Sequence, residues 1–342
     1  MKQNMKIVFF GAGAIGQSVG GWIAPHHDNL YFLDRGDVAR NLKEKGITLF
    51  EQDKKGAKSH VTVKVIDDIS EAKDADVIAL GVKNFSLDAV AKTIRDKVGD
   101  GPVIIAMQNG VENQKVLPKY FSKVVYCVIG YNAWIDGPGV VGYQKKGPLV
   151  LGTRNNELMD EMKEIAAVFN WGVETIVVDH IQDAAHSKVI INLTNSLTTL
   201  IGHGFRPVSD EGLFQKLLTN LLYEGTQIAK AAGYRECKIG GMPPWLLMKL
   251  GATLPRFLTR GMFRKNARKM VMSSMAQDII QRGGRDSELE TINGYMVGLA
   301  ETYNVNAPYN RAIYGLCKRE FSREKFVPLD VRDVWAEVSA QL

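Results

Sequence analysis

Cysteine is scarce in this chain of 342 residues: Cys127, Cys237 and Cys317 are far apart and form no CxxC pair. That excludes a disulfide framework and the usual zinc spacings, and points to a reducing compartment. Long apolar runs are missing as well. Nothing approaches the roughly 20 residues that a bilayer-spanning helix needs, so no integral membrane segment is expected. The stretch from Ile7 to Ala24, behind Lys6, has the outline of a signal peptide, but Gly11, Gly13, Gly16, Gly20 and Gly21 interrupt it. Glycines weaken any membrane helix, and a cytoplasmic protein is expected. Charge of one sign is modest: 43 Lys and Arg against 37 Asp and Glu leave +6. Such a balance suits a phosphate- or carboxylate-bearing ligand and falls short of a nucleic-acid footprint. There is no metal-ligand cluster, internal repeat or Pro/Ser-rich linker.

What is present is an ordinary globular composition, 45% hydrophobic and 23% charged, with length for two domains at about 150 residues each. Up to about Thr153, short apolar runs alternate with helical patterns. Ile7 to Phe10, Leu30 to Leu33, Val77 to Val82, Val103 to Ala106 and Val124 to Ile129 read as buried parallel strands of a βαβ series. After about Asp179 the spacing becomes helical, over Ile181 to Ile201, Leu213 to Ala232 and Ser287 to Tyr303. The expected fold is α/β: a Rossmann dinucleotide-binding domain over residues 1–180, then an all-helical substrate and dimerisation domain over residues 181–342.

Gly11-Ala12-Gly13-Ala14-Ile15-Gly16 is a GxGxxG run between the first strand and a helix. In that setting the first glycine allows the tight turn, the second lets backbone amides approach a pyrophosphate, and the third lets helix and strand pack closely. Asp34 ends the second strand, where a carboxylate accepts from ribose hydroxyls and favours NAD. Arg35 follows at once, with Arg40 nearby, and a guanidinium there clamps the 2′-phosphate of NADP. Both cofactors stay open, with a lean to NAD because Asp34 would repel that phosphate. Lys83 and Gln108-Asn109-Gly110 stand at the carboxyl ends of their strands, on the same edge as the glycine loop.

In the second half, Lys188, Asn192 and Asn195 are spaced i, i+4, i+7 and share one helix face. Val189, Ile191, Leu197 and Leu200 flank them, and buried Lys and Asn are costly without partners. A cleft that lowers the lysine pKa would make it a general acid at neutral pH; a polar stripe facing water is the plain alternative. Ser273-Ser274-Met275 adds polar groups, and Ser287 with Glu290 has the spacing of a capping box.

Taken in order, these residues resemble the ketopantoate reductase family, also called 2-dehydropantoate 2-reductase. The resemblance runs nearly the whole length: GAGAIG at 11–16, Arg-Gly at 35–36, GVK ending at Lys83, QNG at 108–110, PGVV at 138–141, LG at 151–152, K-x3-N at 188–192, SSMAQD at 273–278 and ELETING at 288–294. It implies hydride transfer from NADPH to the ketone of a 2-oxo acid, with Lys188 as the acid that protonates the carbonyl oxygen. By the same resemblance Asn109 sits near the nicotinamide and the lysine, and Lys83 near the cofactor. Asn192 and Ser274 meet the substrate, and Glu288 its hydroxyl and the lysine. Three positions depart from the family pattern, and the segments between Gly233 and Ser273 and between Ser274 and Glu288 are longer than it has. Asp34 precedes the family arginine, where a small residue is expected. Asn195 and Ser196, taken here as substrate contacts, replace an Asn four residues after Asn192 followed by Pro. A related dehydrogenase for a bulkier 2-hydroxy acid or an opine, and a non-catalytic dinucleotide sensor, remain alternatives. A homodimer through the helical domain is open.

One segment stands apart. Lys238, Lys249, Arg256, Arg260, Arg264, Lys265, Arg268 and Lys269 occur with no acid between Glu236 and Asp278, interleaved with leucines, Trp245, Phe257 and Phe263. It reads as a basic lid over the substrate, as a surface for an anionic membrane or partner, or as a helical pair with a solvated basic face. Met242-Pro243-Pro244 is expected to break the chain before it.

Overall fold

The computed structural model describes residues 4–54, 56–283 and 287–342. The chain divides into two compact units, Met1–Ala184 and Ala185–Leu342.

The first unit holds an eight-stranded sheet in the order β12-β11-β8-β7-β6-β1-β2-β5. Its strands are β1 (Ile7–Phe10), β2 (Leu30–Leu33), β5 (Lys64–Val65), β6 (Val77–Leu80), β7 (Val103–Ala106), β8 (Val124–Ile129), β11 (Leu149–Gly152) and β12 (Thr175–Val177). Those from β5 across to β8 are parallel, and β11 runs antiparallel to β8. Every residue of β6, β7 and β8 is buried, as a strand covered on both faces requires. Helices α1 (Ala14–Ile23), α2 (Gly36–Lys45), α3 (Asn84–Lys97), α4 (Asn113–Val116) and α5 (Met159–Phe169) lie among the strands in sequence. The chain leaves β1 for β2 on one side and reaches β6 on the other. Strand order therefore reverses at β1, which in a doubly wound sheet opens the ligand crevice at the carboxyl ends.

A second sheet, order β4-β3-β10-β9, comes from β3 (Ile47–Glu51), β4 (Lys58–Val61), β9 (Ala133–Gly137) and β10 (Val140–Tyr143). Pro138 and Gly139 close the β9–β10 hairpin, with Gly139 at φ 70° where a side chain would be strained. This sheet was not expected from the sequence, because β4 shows only one buried residue and β9 none.

The second unit is helical: α7 (Thr194–Leu200), α8 (Glu211–Ala231), α9 (Trp245–Thr253), α10 (Arg256–Ala267), α11 (Ser274–Ala276), α12 (Tyr295–Thr302), α13 (Pro308–Phe321) and α14 (Val331–Ser339). A further helix, α6 (Ile181–Asn192), starts four residues before the boundary and contributes most of its length here. The helix expected over Ile181 to Ile201 is interrupted at Leu193. The long α8 is capped by Asp210, whose carboxylate accepts from the Gly212 and Leu213 amides. Phe214, Leu217, Leu218, Leu221 and Leu222 give it one buried stripe. Two π-helical turns, Gln277–Gln281 and Glu290–Gly294, occur among the described residues. They lie in the SSMAQD and ELETING segments, and such turns gather at functional sites.

Candidate active site

In the first unit the glycine loop forms a cradle. Gly11 has φ +96°, and a Cβ there would stand 2.8 Å from Val82 Cγ1. A Cβ at Gly16 would come within 2.3 Å of the Gly11 carbonyl oxygen, so helix and turn touch without room for one methyl. Gly13 differs: it is exposed, and a Cβ there would find only the Gly81 carbonyl, at 3.9 Å. Open space beside the second glycine, at the start of α1, is where a pyrophosphate fits. The first-turn amides have no helical partner and carry the positive end of the dipole.

Asp34 locks this cradle. Its Oδ2 accepts from the Ala12 amide at 2.6 Å and its Oδ1 from its own neighbour Arg35, at 2.8 Å. The Gln17 Nε2 donates to the Ala12 carbonyl from beneath, at 2.6 Å. Arg35 itself is exposed and stands at the N-cap position of α2 without a capping side-chain bond. At the neighbouring strand ends, Gln108 Nε2 donates to the Leu80 carbonyl at 2.7 Å, and Asn84 Nδ2 to the Asn109 carbonyl at 2.8 Å. These bonds hold the half-buried Lys83 and Asn109 on the edge that carries the glycine loop.

In the second unit, Lys188 stands on α6 next to the fully buried core residues Val189 and Ile190 of its own helix. Burial alone draws its ammonium down from 10.5 to about 8. Loss of hydration disfavours the charged form. One helical turn on, Asn192 is 6% exposed. Asn195 is half-buried in α7, where its carbonyl accepts from the Thr199 hydroxyl at 2.7 Å. The Ser273 hydroxyl caps α11 by accepting from Ala276 N and also bonds Thr199, which fastens α11 to α7. That leaves Ser274, half-buried at the first helical position, as the serine with its hydroxyl unspent on capping. Glu288 is 5% exposed and begins the segment that packs back on α7 through Asn293. The structure thus brings Lys188, Asn192, Asn195, Ser274 and Glu288 onto neighbouring segments of one core.

Two family models match the chain. "Ketopantoate reductase PanE/ApbA" covers residues 7–156 and "Ketopantoate reductase PanE/ApbA C terminal" covers residues 180–320. The chain belongs to the ketopantoate reductase family. Members of this family are NAD(P)-dependent oxidoreductases acting on CH–OH groups, and so is this chain. A curated 2-dehydropantoate 2-reductase of Pyrococcus abyssi is 27% identical over 92% of this chain and 97% of its own length. Among solved structures, a PanE/ApbA family ketopantoate reductase from Ralstonia eutropha JMP134 superposes with TM-score 0.73 at 24% identity, covering 94% of this chain and 99% of its own. A D-mandelate dehydrogenase with NADH and anilino(oxo)acetate gives 0.74 at 19% identity, over 94% of this chain and all of its own.

Not every residue expected at a ketopantoate reductase site is placed for it. Ser196 is fully buried; its hydroxyl donates to the Leu193 carbonyl at 2.8 Å and accepts from Asn293 Nδ2 at 2.9 Å. Both its ordinary bonding roles are filled inside the core, so it holds α7 to the 288–294 segment and does not face a ligand. The Ser287–Glu290 capping box does not form either. Among the described residues Ser287 Oγ accepts a long bond from Leu289 N, at 3.4 Å, while Glu290 turns to the Tyr314 hydroxyl and Lys318.

Other residues were not anticipated. Asn293 lies in ELETING, which was the available signal; its Oδ1 is buried with no hydrogen-bond partner among the described residues. His186, two residues before Lys188, stacks on Tyr234 and bonds the Tyr295 hydroxyl at 2.8 Å. No spacing marks that trio, which sequence separations of 48 and 109 residues disperse.

Proposed function

We propose that the protein reduces a 2-oxo acid to the 2-hydroxy acid with hydride from a nicotinamide dinucleotide, and that 2-dehydropantoate is the substrate. The observation that carries this reading is Lys188, an amine brought near 8 by desolvation alone in the helix that also carries Asn192. Such a group is largely protonated at neutral pH and gives its proton readily. The bound dinucleotide supplies the hydride. Gly11, Ala12, Gly13, Ala14, Ile15 and Gly16 form the bed for its pyrophosphate, and Lys83 and Asn109 flank it. Lys188 protonates the ketone oxygen and its charge offsets that of the developing alkoxide. Asn192, Asn195 and Ser274 hold the substrate, and Glu288 orients its hydroxyl and the lysine.

Support for 2-dehydropantoate comes from the relative of Pyrococcus abyssi that bears that activity's name along 92% of this chain. A bulkier 2-oxo acid is the second reading, favoured by the paired helices α9 and α10 in the substrate-bearing unit and by the shared fold of a D-mandelate dehydrogenase. Asp34 favours NADH, since its carboxylate stays at the end of β2, where this fold meets the ribose, and repels a 2′-phosphate. Exposed Arg35 is the opposing feature.

The test is oxidation of NADH and, separately, NADPH with 2-dehydropantoate and with bulkier 2-oxo acids. Turnover of 2-dehydropantoate, faster with NADH, is expected. Lys188→Ala should lower it by roughly 10²–10⁴-fold while leaving dinucleotide affinity intact. Unchanged turnover in that variant removes Lys188 as the acid. Dinucleotide binding without turnover of any acid shifts the reading to a non-catalytic sensor.

A further inference from the structure

The basic segment of the helical unit folds as two short helices that leave much of their apolar surface outside. Among the described residues, six of the fourteen exposed large hydrophobics fall between 246 and 262: Leu246, Leu247, Leu254, Phe257, Leu258 and Met262. Phe257 is 80% exposed and Leu246 63%. A scattered exposed leucine is ordinary, but a run of this density marks an interaction surface.

The inner side of the pair is accounted for. Trp245 and Met248 of α9 are buried. Thr259 of α10 accepts from Gln215 Nε2 at 2.7 Å, Phe263 packs edge-on to Phe214, and Arg264 pairs with Glu211. Each of these contacts is made on α8 or its core, so α9 and α10 are anchored with their opposite side turned outward. Pro244 and Pro255 start the two helices and set the corner between them.

Charge identifies the occupant. Between Glu236 and Asp278 the chain carries eight Lys and Arg and no Asp or Glu. Exposed Lys249, Arg260, Lys265 and Arg268 stand among the outward apolar groups. A second copy on this face would bring like charges together, which disfavours pairing. The cores of protein interfaces are depleted in charged residues, whereas here Lys249, Arg260, Lys265 and Arg268 are exposed beside Leu and Phe. Interfacial helices on anionic lipid have that mixed make-up, with apolar side chains entering the headgroup boundary and cations on the lipid phosphates. We propose that the α9–α10 pair docks this protein on an anionic lipid surface.

The test uses the full-length chain sedimented with vesicles of phosphatidylcholine alone or mixed with phosphatidylglycerol. Binding to the mixed vesicles, weak on the neutral ones and weakened by added salt, is expected. The double variant Phe257→Ser/Leu258→Ser should lower partitioning by tenfold or more, and Lys249→Glu/Lys265→Glu should abolish the preference for the anionic vesicles. Circular dichroism checks that both variants are folded. Failure to bind the mixed vesicles, or equal binding to both, overturns the proposal. So does a dimer in solution that Phe257→Ser/Leu258→Ser dissociates, which would show a second copy on the patch, or binding that neither variant alters.

Discussion

Replacing Lys188 with methionine should stabilise the protein while stopping its turnover. Burial alone brings the ammonium from 10.5 to about 8, an interval that corresponds to roughly 3 kcal/mol at about 1.4 kcal/mol per pH unit. Because the side chain keeps partial exposure, about 1–3 kcal/mol is the expected gain. The folded pKa lies below the unfolded one, so between them the unfolded chain binds more protons and the stability of the wild type rises with pH. Below about 8 the penalty of the buried charge is fully present; towards 10.5 it disappears. Methionine fills a similar volume without charge and has no such dependence. Its advantage is therefore greatest at neutral pH and shrinks as the wild-type lysine deprotonates. At about 2–4 °C per kcal/mol for a unit of this size, thermal unfolding near neutral pH should move up by roughly 2–12 °C. A variant no more stable than wild type there, or an advantage that does not shrink through the alkaline window, would refute the claim that desolvation governs this lysine.

Gly13→Ala and Gly16→Ala should separate binding from folding. The first meets only one atom, at 3.9 Å, so its melting temperature should hold while calorimetric affinity for the dinucleotide falls. The second drives a methyl to 2.3 Å from Gly11 O and should cost about 1–3 kcal/mol of stability as well. Glu224 accepts from the amides of Tyr309 and Asn310 at the start of α13, at 3.0 and 2.8 Å. Glu224→Ala leaves the half-buried Tyr309 and the buried Asn310 amides unmet and should destabilise by roughly 2–4 kcal/mol in urea unfolding.

The central strands β1, β2, β6, β7 and β8 were legible because each reads as an unbroken apolar run, and Val103–Ala106 and Val124–Ile129 stand where the sequence placed them; β5, the exposed Lys64 with Val65, gave no such signal. The second sheet was not. Lys58–Val61 reads Lys-Ser-His-Val, and its place in a sheet depends on pairing with Ile47–Glu51, a tertiary fact. Of the site, the glycine loop was legible from local spacing, as was the shared helix of Lys188 and Asn192. The fate of Ser196 was not, since it depends on Asn293, 97 residues away. Ser287 and Glu290 have capping spacing, but Tyr314 and Lys318 claim the carboxylate from a different helix.

The carboxylate of Asp34 has two duties, since the oxygen facing Ala12 also braces the loop on which any dinucleotide rests. Cofactor choice and loop order are thereby tied to one side chain. Evolution or design towards NADPH that removes the whole acceptor, as Asp34→Ala would, also frees an amide of the turn. The productive route begins with a neutral acceptor at 34, asparagine or serine, that preserves the brace, and recruits Arg35 afterwards.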